Sequence, residues 1–578
     1  MKRSVPRTLI LDFEFQARPG ERPLPICAVA LDFTSGRLWR VWLDPPPRVP
    51  PWPTGRSVTV VAFSAIAEIT CLLSLAWVLP SRLIDLMPEF CVSGRRSVKQ
   101  PSLADALRSI GLDFIDAAEK AAMYALAERG GPFLPHERDL LLRGCEKDVA
   151  ATAHLYTKLL PKLDIPRALL RGRTVCSMAK VEFHGVPVDV EKLERIRAAW
   201  PRLRHDVIAE MDANYGVYVD GRFSHERFRR YVRKSGVRWP TTPTGRLSTD
   251  KEVFKEIARL HPEFEDLREL RATLSKLDRE GIPVGADGMS RTSLRMFASL
   301  TSRNQPRTSE FIFGQSAWLR GVIRAPPGYA VLYADYSQQE IGVAAALSGD
   351  PVMRSAYESG DAYLAAAIQA RIAPLGASEE SHTRERDLFK VVCLGVLYGM
   401  GAKGLARRLG ISIGEAKALY DAHRRTYPRF WTWSDAVVDY AHLHGVLFTT
   451  LGWRYYPTPV AADGTRPNLE GTLRNFLMQA TGAEILRVAC MYADDDGLRV
   501  CAPVHDALLV LVPIDKLDEY TARTRSVMER ASVDVLGGFK LRIKVKSAPY
   551  PQHYADKAGE KMTAIVDRLL RKMGQSWS

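Results

Sequence analysis

Paired cysteine is missing. Eight cysteines are scattered through 578 residues, at positions 27, 71, 91, 145, 176, 393, 490 and 501, with no CxxC pair and no His/Cys cluster. That pattern argues against a disulfide framework and against structural zinc, and a reducing cytoplasm is the expected compartment. Long apolar runs are missing too. The most apolar window, AIAEITCLLSLAWVLP, carries Glu68 and is too short to span a bilayer. The opening MKRSVPRTLILDFEF reaches acids too soon for a signal peptide, so no membrane segment is expected. Low-complexity tracts and internal repeats are absent. An acidic excess is absent as well: 81 Lys and Arg outweigh 66 Asp and Glu, leaving a net charge of +15. Phosphate backbones attract such a surface, and counterion release then supplies most of the affinity.

What is present is ordinary globular material, 46% apolar and 25% charged. The length allows three or four structural units. Residues 7–44 alternate short apolar runs with turn residues and read as a β-meander. PPPRVPPWP is a surface loop, SVTVVAF a strand, and 66–78, 102–111 and 137–160 are helical by period. Residues 175–300 are rich in helices with Lys and Arg on the polar face. From 301 onward strands, long helices and Gly-centred turns alternate.

Three segments carry chemistry. In YAVLYADYSQQEIGVAAALSGD a β-run ends at Asp335 and a helix follows at once. In RERDLFKVVCLGVLYGM, Arg386, Lys390, Leu394 and Tyr398 recur at spacings of four and share one helical stripe. In LRVCAPVHDALLVLVP two β-rich runs flank His505-Asp506, which reads as a hairpin presenting one aspartate. Each alone has an ordinary structural reading: a helix cap, an amphipathic helix with basic ends, a turn aspartate. Together they supply what nucleotidyl transfer needs. Two carboxylates from different strands hold two Mg²⁺ ions about 3.5–4 Å apart. Cations neutralise the leaving phosphates. An aromatic wall faces the nascent pair.

These segments resemble the three polymerase motifs of family A DNA polymerases, the bacterial DNA polymerase I type, and are most similar to phage-type members. DYSQQE is similar to the first motif, R-x₃-K-x₇-YG to the second and VHDA to the third. The resemblance runs over 301–556, through TSRNQP, GWRYYP and RNFLMQATGAEIL. It implies that Asp335 and Asp506 bind metal, that Arg386 and Lys390 contact the triphosphate, and that Leu394 and Tyr398 line the nucleotide site. It implies that Glu340 is the sugar gate, and that Arg303, Arg454, Asn475, Gln479 and His505 meet primer, template or minor groove. The implied partners are primer–template DNA and dNTPs, with a monomer replicating a phage genome. Two positions depart from the family: Ala507 stands where a helper Glu is common, and Gly342 where an Arg is usual. MYADDDG contains Y-A-D-D, the reverse-transcriptase box, but its acids end a helix and read as an acidic turn.

In the N-terminal region LILDFEF puts Asp12 and Glu14 on one face of a strand. Glu68 opens a helix and Asp148 sits on a later one. Four such acids can bind two further metals for phosphodiester hydrolysis. The set resembles the DEDD 3′–5′ exonucleases. That family carries a Tyr or His shortly before the last Asp, where this chain has Gly144 and Arg143. A weakened exonuclease, recruitment of another residue, and an inactive single-strand-binding domain all fit. If the helix turns position 144 toward the metals, a tyrosine placed there is expected to speed hydrolysis. The fold expected is α/β and multidomain: a ribonuclease H-like exonuclease domain (1–160), connector and thumb helices (161–300), then palm and fingers of a right-hand polymerase core (301–578). Two other readings share parts of this set: an exonuclease with a non-functional polymerase core, and a DNA-binding protein.

Overall fold

The computed structural model describes residues 7–95, 100–112, 117–242, 244–277, 281–457 and 469–574. The N-terminal alternation becomes a five-stranded sheet. Its strands are β1 (Arg7–Gln16), β2 (Leu24–Asp32), β3 (Leu38–Trp42), β4 (Val58–Ala62) and β5 (Leu83–Asp85), in the order β3-β2-β1-β4-β5. β1 runs antiparallel to β2 and parallel to β4. Successive side chains of β1 point to opposite faces. Ile10 packs with Leu141, Cys145 and Val149 of one helix, while Leu9 and Leu11 pack with Ile69, Val175 and Met178 on the other side. Asp12 and Glu14 therefore share the face of Ile10. The helices on these faces are α1 (Ile66–Ser74), α2 (Ala117–Arg129), α3 (Pro135–Leu159) and α4 (Ile165–His184). α1 stops four residues before the expected 78. Ala76 takes a left-handed φ of 53°, which a helix cannot continue through.

α4 joins the two halves of the molecule. Val175 and Met178 sit in an apolar cluster that runs without a break from the N-terminal sheet into the second sheet. Arg171 is buried in a two-pronged ion pair with Glu89, at 2.6 and 2.7 Å. At its other end Lys180 meets Asp494 at 2.6 Å and Arg173 pairs with Asp495. The Y-A-D-D acids are thus helix-end anchors for α4, as the acidic-turn reading expects.

α5 (Val190–Met211) packs on the far side of the second sheet, together with the last helix of the chain. Residues 214–267 close a small aromatic core of their own. Phe228, Trp239, Phe254 and Phe264 lie with ring centres 4.9–5.4 Å apart in successive contacts.

The second sheet holds β6 (Tyr329–Tyr336), β7 (Arg499–Val504), β8 (Ala507–Pro513) and β9 (Ile543–Pro549), all antiparallel, in the order β7-β8-β6-β9. Ala330, Leu332, Ala334 and Tyr336 point into the large cluster; Val331 points to the opposite face, and Asp335 follows it by period. Between β6 and β7 lie α6 (Gln339–Ser348), a helical segment over 351–444 containing α7 (Thr383–Leu397), and the long α8 (Glu470–Asp495). α9 (Leu517–Val535) and α10 (Glu560–Lys572) complete the chain, α9 backing the sheet and α10 packing on α5.

Candidate nucleotidyl-transfer and hydrolytic sites

Asp335 is the penultimate residue of β6, and its ladder partner on β8 is Ala507. Asp506 immediately precedes that partner in a two-residue hairpin turn, and its carbonyl accepts from the Tyr336 N–H at 3.1 Å. His505 makes the turn with a φ of 55°, sparsely allowed for a residue with a side chain. Two carboxylates from separate strands are thereby set on rigid elements, side by side. Burial first, and then the Asp335 charge, push the Asp506 carboxyl up to about 6, with Arg303 opposing. Burial also raises Asp335, against the pull of Lys544 and Lys546 on β9. A half-buried acid pair of this kind favours a cation between its members. Ala507 is fully buried in the ladder, so a helper carboxylate there would enter the core.

The stripe on α7 forms as the spacing predicts, with Tyr398 as its C-terminal cap. The Tyr398 hydroxyl donates to Glu340, which lies in the first turn of α6. Gln479 on α8 donates to Glu340 at 2.9 Å and to the Tyr398 oxygen at 2.8 Å. Lys390 is exposed, its ammonium 5.8 Å from the Tyr363 ring. Leu394 is half-buried on the same stripe. Arg386 is held by Asp361 and, at 3.3 and 3.2 Å, by Glu379 and Asp387. Sequence alone did not single out Asp361, which also caps the helix Ala362–Gln369.

Arg303 and His505 line a cavity of about 380 Å³ beside the hairpin, with Phe313, Leu486 and Arg487. Asn475 is half-buried one turn before Gln479. Arg454 stands exposed on the short strand Arg454–Tyr455, and among the described residues no hydrogen bond or ion pair ties it to the acid pair.

Gly342 has a steric reason. A Cβ there would lie 2.5 Å from Leu541 Cδ2 and 2.8 Å from the Tyr357 ring. A guanidinium reaches this segment from elsewhere: Arg542 lies over the Tyr357 ring at 4.6 Å and donates to the Gln338 side chain at 2.9 Å.

At the N-terminal site Asp12, Glu14 and Asp148 offer oxygens within 4.8 Å of one another. Glu68 is only 4% exposed, and among the described residues its Oε2 has no hydrogen-bond partner. Burial and then the Asp148 charge raise Asp12 well above the carboxylate range and take Glu14 to about 7. Burial and then Asp12 raise Glu68 in the same way. The three crowded acids fit a divalent cation, and the orphaned Glu68 oxygen lies outside that close group but near enough to feel the Asp12 charge. Asp85, not anticipated, accepts from the N–H groups of Ser64, Ala65 and Met87 at 2.8–3.1 Å and fixes the turn that aims Glu68.

Position 144 faces α2: a Cβ on Gly144 would lie 1.9 Å from Met123 Cε, so a tyrosine there requires the flexible end of that buried methionine to move.

An acid pair on adjacent antiparallel strands, under a basic helix that ends in a tyrosine, defines a polymerase-type palm. The family model for DNA polymerase family A matches residues 230–550, and the chain belongs to that family. DNA polymerase I of Deinococcus radiodurans is 29% identical over 417 residues, 66% of this chain and 42% of that protein. DNA polymerase I of Aquifex aeolicus is 27% identical over 430 residues, 70% of each. The chain thus spans less than half of the first of these relatives. The polymerase domain of Pol1 from M. smegmatis, solved in complex with DNA primer-template and dNTP, has the same fold: TM-score 0.71 at 21% identity, covering 94% of this chain and 95% of that one. The relatives named here are bacterial; the phage-type likeness rests on the motif segments alone. Among the described residues no helix is long and apolar enough to cross a membrane.

Proposed function

We propose that the chain is a DNA-directed DNA polymerase that extends a primer on a DNA template by nucleotidyl transfer. The observation that carries the reading is Asp335 and Asp506 set next to each other at the end of β6 and in the β7–β8 turn, with Glu340 near enough for its charge to reach Asp506 and hydrogen-bonded to Tyr398, the last residue of the Arg386–Lys390–Leu394–Tyr398 stripe. Asp335 and Asp506 would hold two divalent ions, magnesium in the cell, whose charge stabilises the attacking and leaving oxygens. The remaining work falls to side chains. Lys390 neutralises the triphosphate, joined by Arg386 once it exchanges Asp361 for phosphate. Tyr398 and Leu394 pack against the nascent pair. Glu340, held by Tyr398 and Gln479, closes the space a 2′-hydroxyl needs. Arg303, His505, Asn475, Gln479 and Arg454 receive primer, template and minor groove, and the net charge of +15 adds affinity for the backbone.

A second activity, 3′–5′ hydrolysis of single strands, is assigned to Asp12, Glu14, Glu68 and Asp148, supported by the crowded acids and the unpartnered Glu68 oxygen. Residues 1–160 would form this unit, 161–300 the connector and thumb, and 301–578 the palm and fingers. The protein would act as a monomer in the cytoplasm. Primer extension with Mg²⁺, comparing dNTPs with NTPs, tests the assignment. Template-dependent extension by dNTPs supports it. DNA binding without extension leaves the alternative of a non-functional polymerase core.

A further inference from the structure

Position 144 lacks the side chain that DEDD exonucleases set beside the last aspartate, and the end of Met123 of α2 occupies the space a Cβ there would enter. The same helix brings two polar groups of its own. Lys120, one turn before Tyr124, reaches Asp148 with Nζ 2.7 Å from Oδ2, and the two side chains are 24% and 14% exposed. Its charge is also felt by Asp12 and Glu14. The Tyr124 ring lies 5.7 Å from the ammonium, itself 59% exposed at the mouth of the site. One ammonium beside three crowded carboxylates leaves a deficit of positive charge, and the nearby Glu68 oxygen has no hydrogen-bond partner among the described residues. Lys120 therefore does not close the site. Its side chain is partly exposed beside Asp148.

We propose that Lys120 is the phosphate-contacting cation of the hydrolytic centre. It holds Asp148 while no divalent ion is bound, and turns to the scissile phosphate of a single-stranded 3′ end when one is. The inference rests on the hydrolytic reading of this domain. In the reaction a water oxygen forms a bond to the terminal phosphorus, and the bond from that phosphorus to the 3′ oxygen of the preceding nucleotide breaks. That oxygen takes a proton from solvent, the attacking water loses one, and a nucleoside monophosphate leaves. Lys120 adds positive charge where negative charge grows on the phosphate oxygens. Its ordering of Asp148 beforehand costs metal affinity, because a cation next to the ligand set repels an incoming ion.

The two effects have opposite signs, and a supporting role alone does not produce that. Lys120→Met and Lys120→Arg are compared with the parent in the full chain, with Asp12→Ala/Glu14→Ala as control. Mn²⁺ binding is read by titration in an Asp335→Ala/Asp506→Ala background, so that the N-terminal centre is observed. Degradation of a labelled single strand is read at saturating Mn²⁺. Lys120→Met should bind Mn²⁺ tighter, on the order of tenfold for removal of a like charge in a partly buried site. It should degrade DNA about 10²-fold slower, the scale for loss of one positioned electrostatic contact. Lys120→Arg should recover part of the rate. Degradation by Lys120→Met at the parent rate overturns the phosphate contact, whatever its Mn²⁺ affinity. Weaker Mn²⁺ binding with slower degradation shows a merely structural role and overturns it too. If the parent does not degrade single strands, or the Asp12→Ala/Glu14→Ala control degrades them equally fast, the hydrolytic reading itself fails and Lys120 loses its role with it.

Discussion

The Tyr398 hydroxyl donates a hydrogen bond to the Glu340 carboxylate, across the gap between the end of α7 and the first turn of α6. Gln479 donates to both oxygens from α8, so three elements meet at one point in front of the acid pair. Tyr398 and Glu340, proposed above to face the base pair and the sugar, therefore form one hydrogen-bonded unit.

Glu340→Ala removes the acid and frees the tyrosine. Ribonucleotide incorporation should rise relative to deoxyribonucleotide by about 10–10²-fold in kcat/KM, the range one missing steric or polar contact provides. Single-nucleotide insertion with matched dNTP and NTP measures it. Discrimination equal to the parent's removes Glu340 from the gate.

Among the described residues Lys390 has no ion-paired acid, unlike Arg386, and its side chain is exposed on the α7 stripe. Lys390→Ala should lower kcat/KM for dNTP by about 10²–10³-fold, with kcat and KM both affected, because the cation acts on phosphates in ground and transition states. Pre-steady-state insertion over a range of dNTP concentrations separates the two. An unchanged kcat/KM contradicts the triphosphate role.

The Arg171–Glu89 pair is buried, with side chains 9% and 2% exposed, and it ties α4 to the N-terminal domain. Arg171→Ala leaves Glu89 uncompensated and should destabilise that junction by about 3–5 kcal/mol. Urea unfolding and limited proteolysis should show the N-terminal domain releasing first. A double replacement by apolar residues of similar volume should restore much of the loss. A proteolysis pattern like the parent's contradicts the junction role.

Much of the site was legible because its signals are local. A strand end, a four-residue spacing and a two-residue turn all lie within short windows, so Asp335, the α7 stripe and Asp506 could be read directly. The β-meander was legible for the same reason. What stayed hidden depends on contacts distant in sequence. Lys120 meets Asp148 from another helix, Asp361 meets Arg386 across a helix–helix junction, and Arg542 reaches Gln338 from over 200 residues away. No spacing announces these. The reading of Gly144 did not foresee Met123, 21 residues upstream, whose side-chain end fills the space a tyrosine would enter. The early end of α1 came from a left-handed alanine that its apolar period does not reveal.

The central claim is that Asp335 and Asp506 carry nucleotide addition while DNA affinity is spread over many phosphate contacts. Primer extension under single-turnover conditions, with primer–template affinity measured on the same preparations, tests it most directly. Asp335→Asn and Asp506→Asn should each abolish extension, since each removes one of two carboxylates that hold the ions. Primer–template binding should stay within a few-fold of the parent at fixed salt. Near-normal extension by either variant contradicts the account.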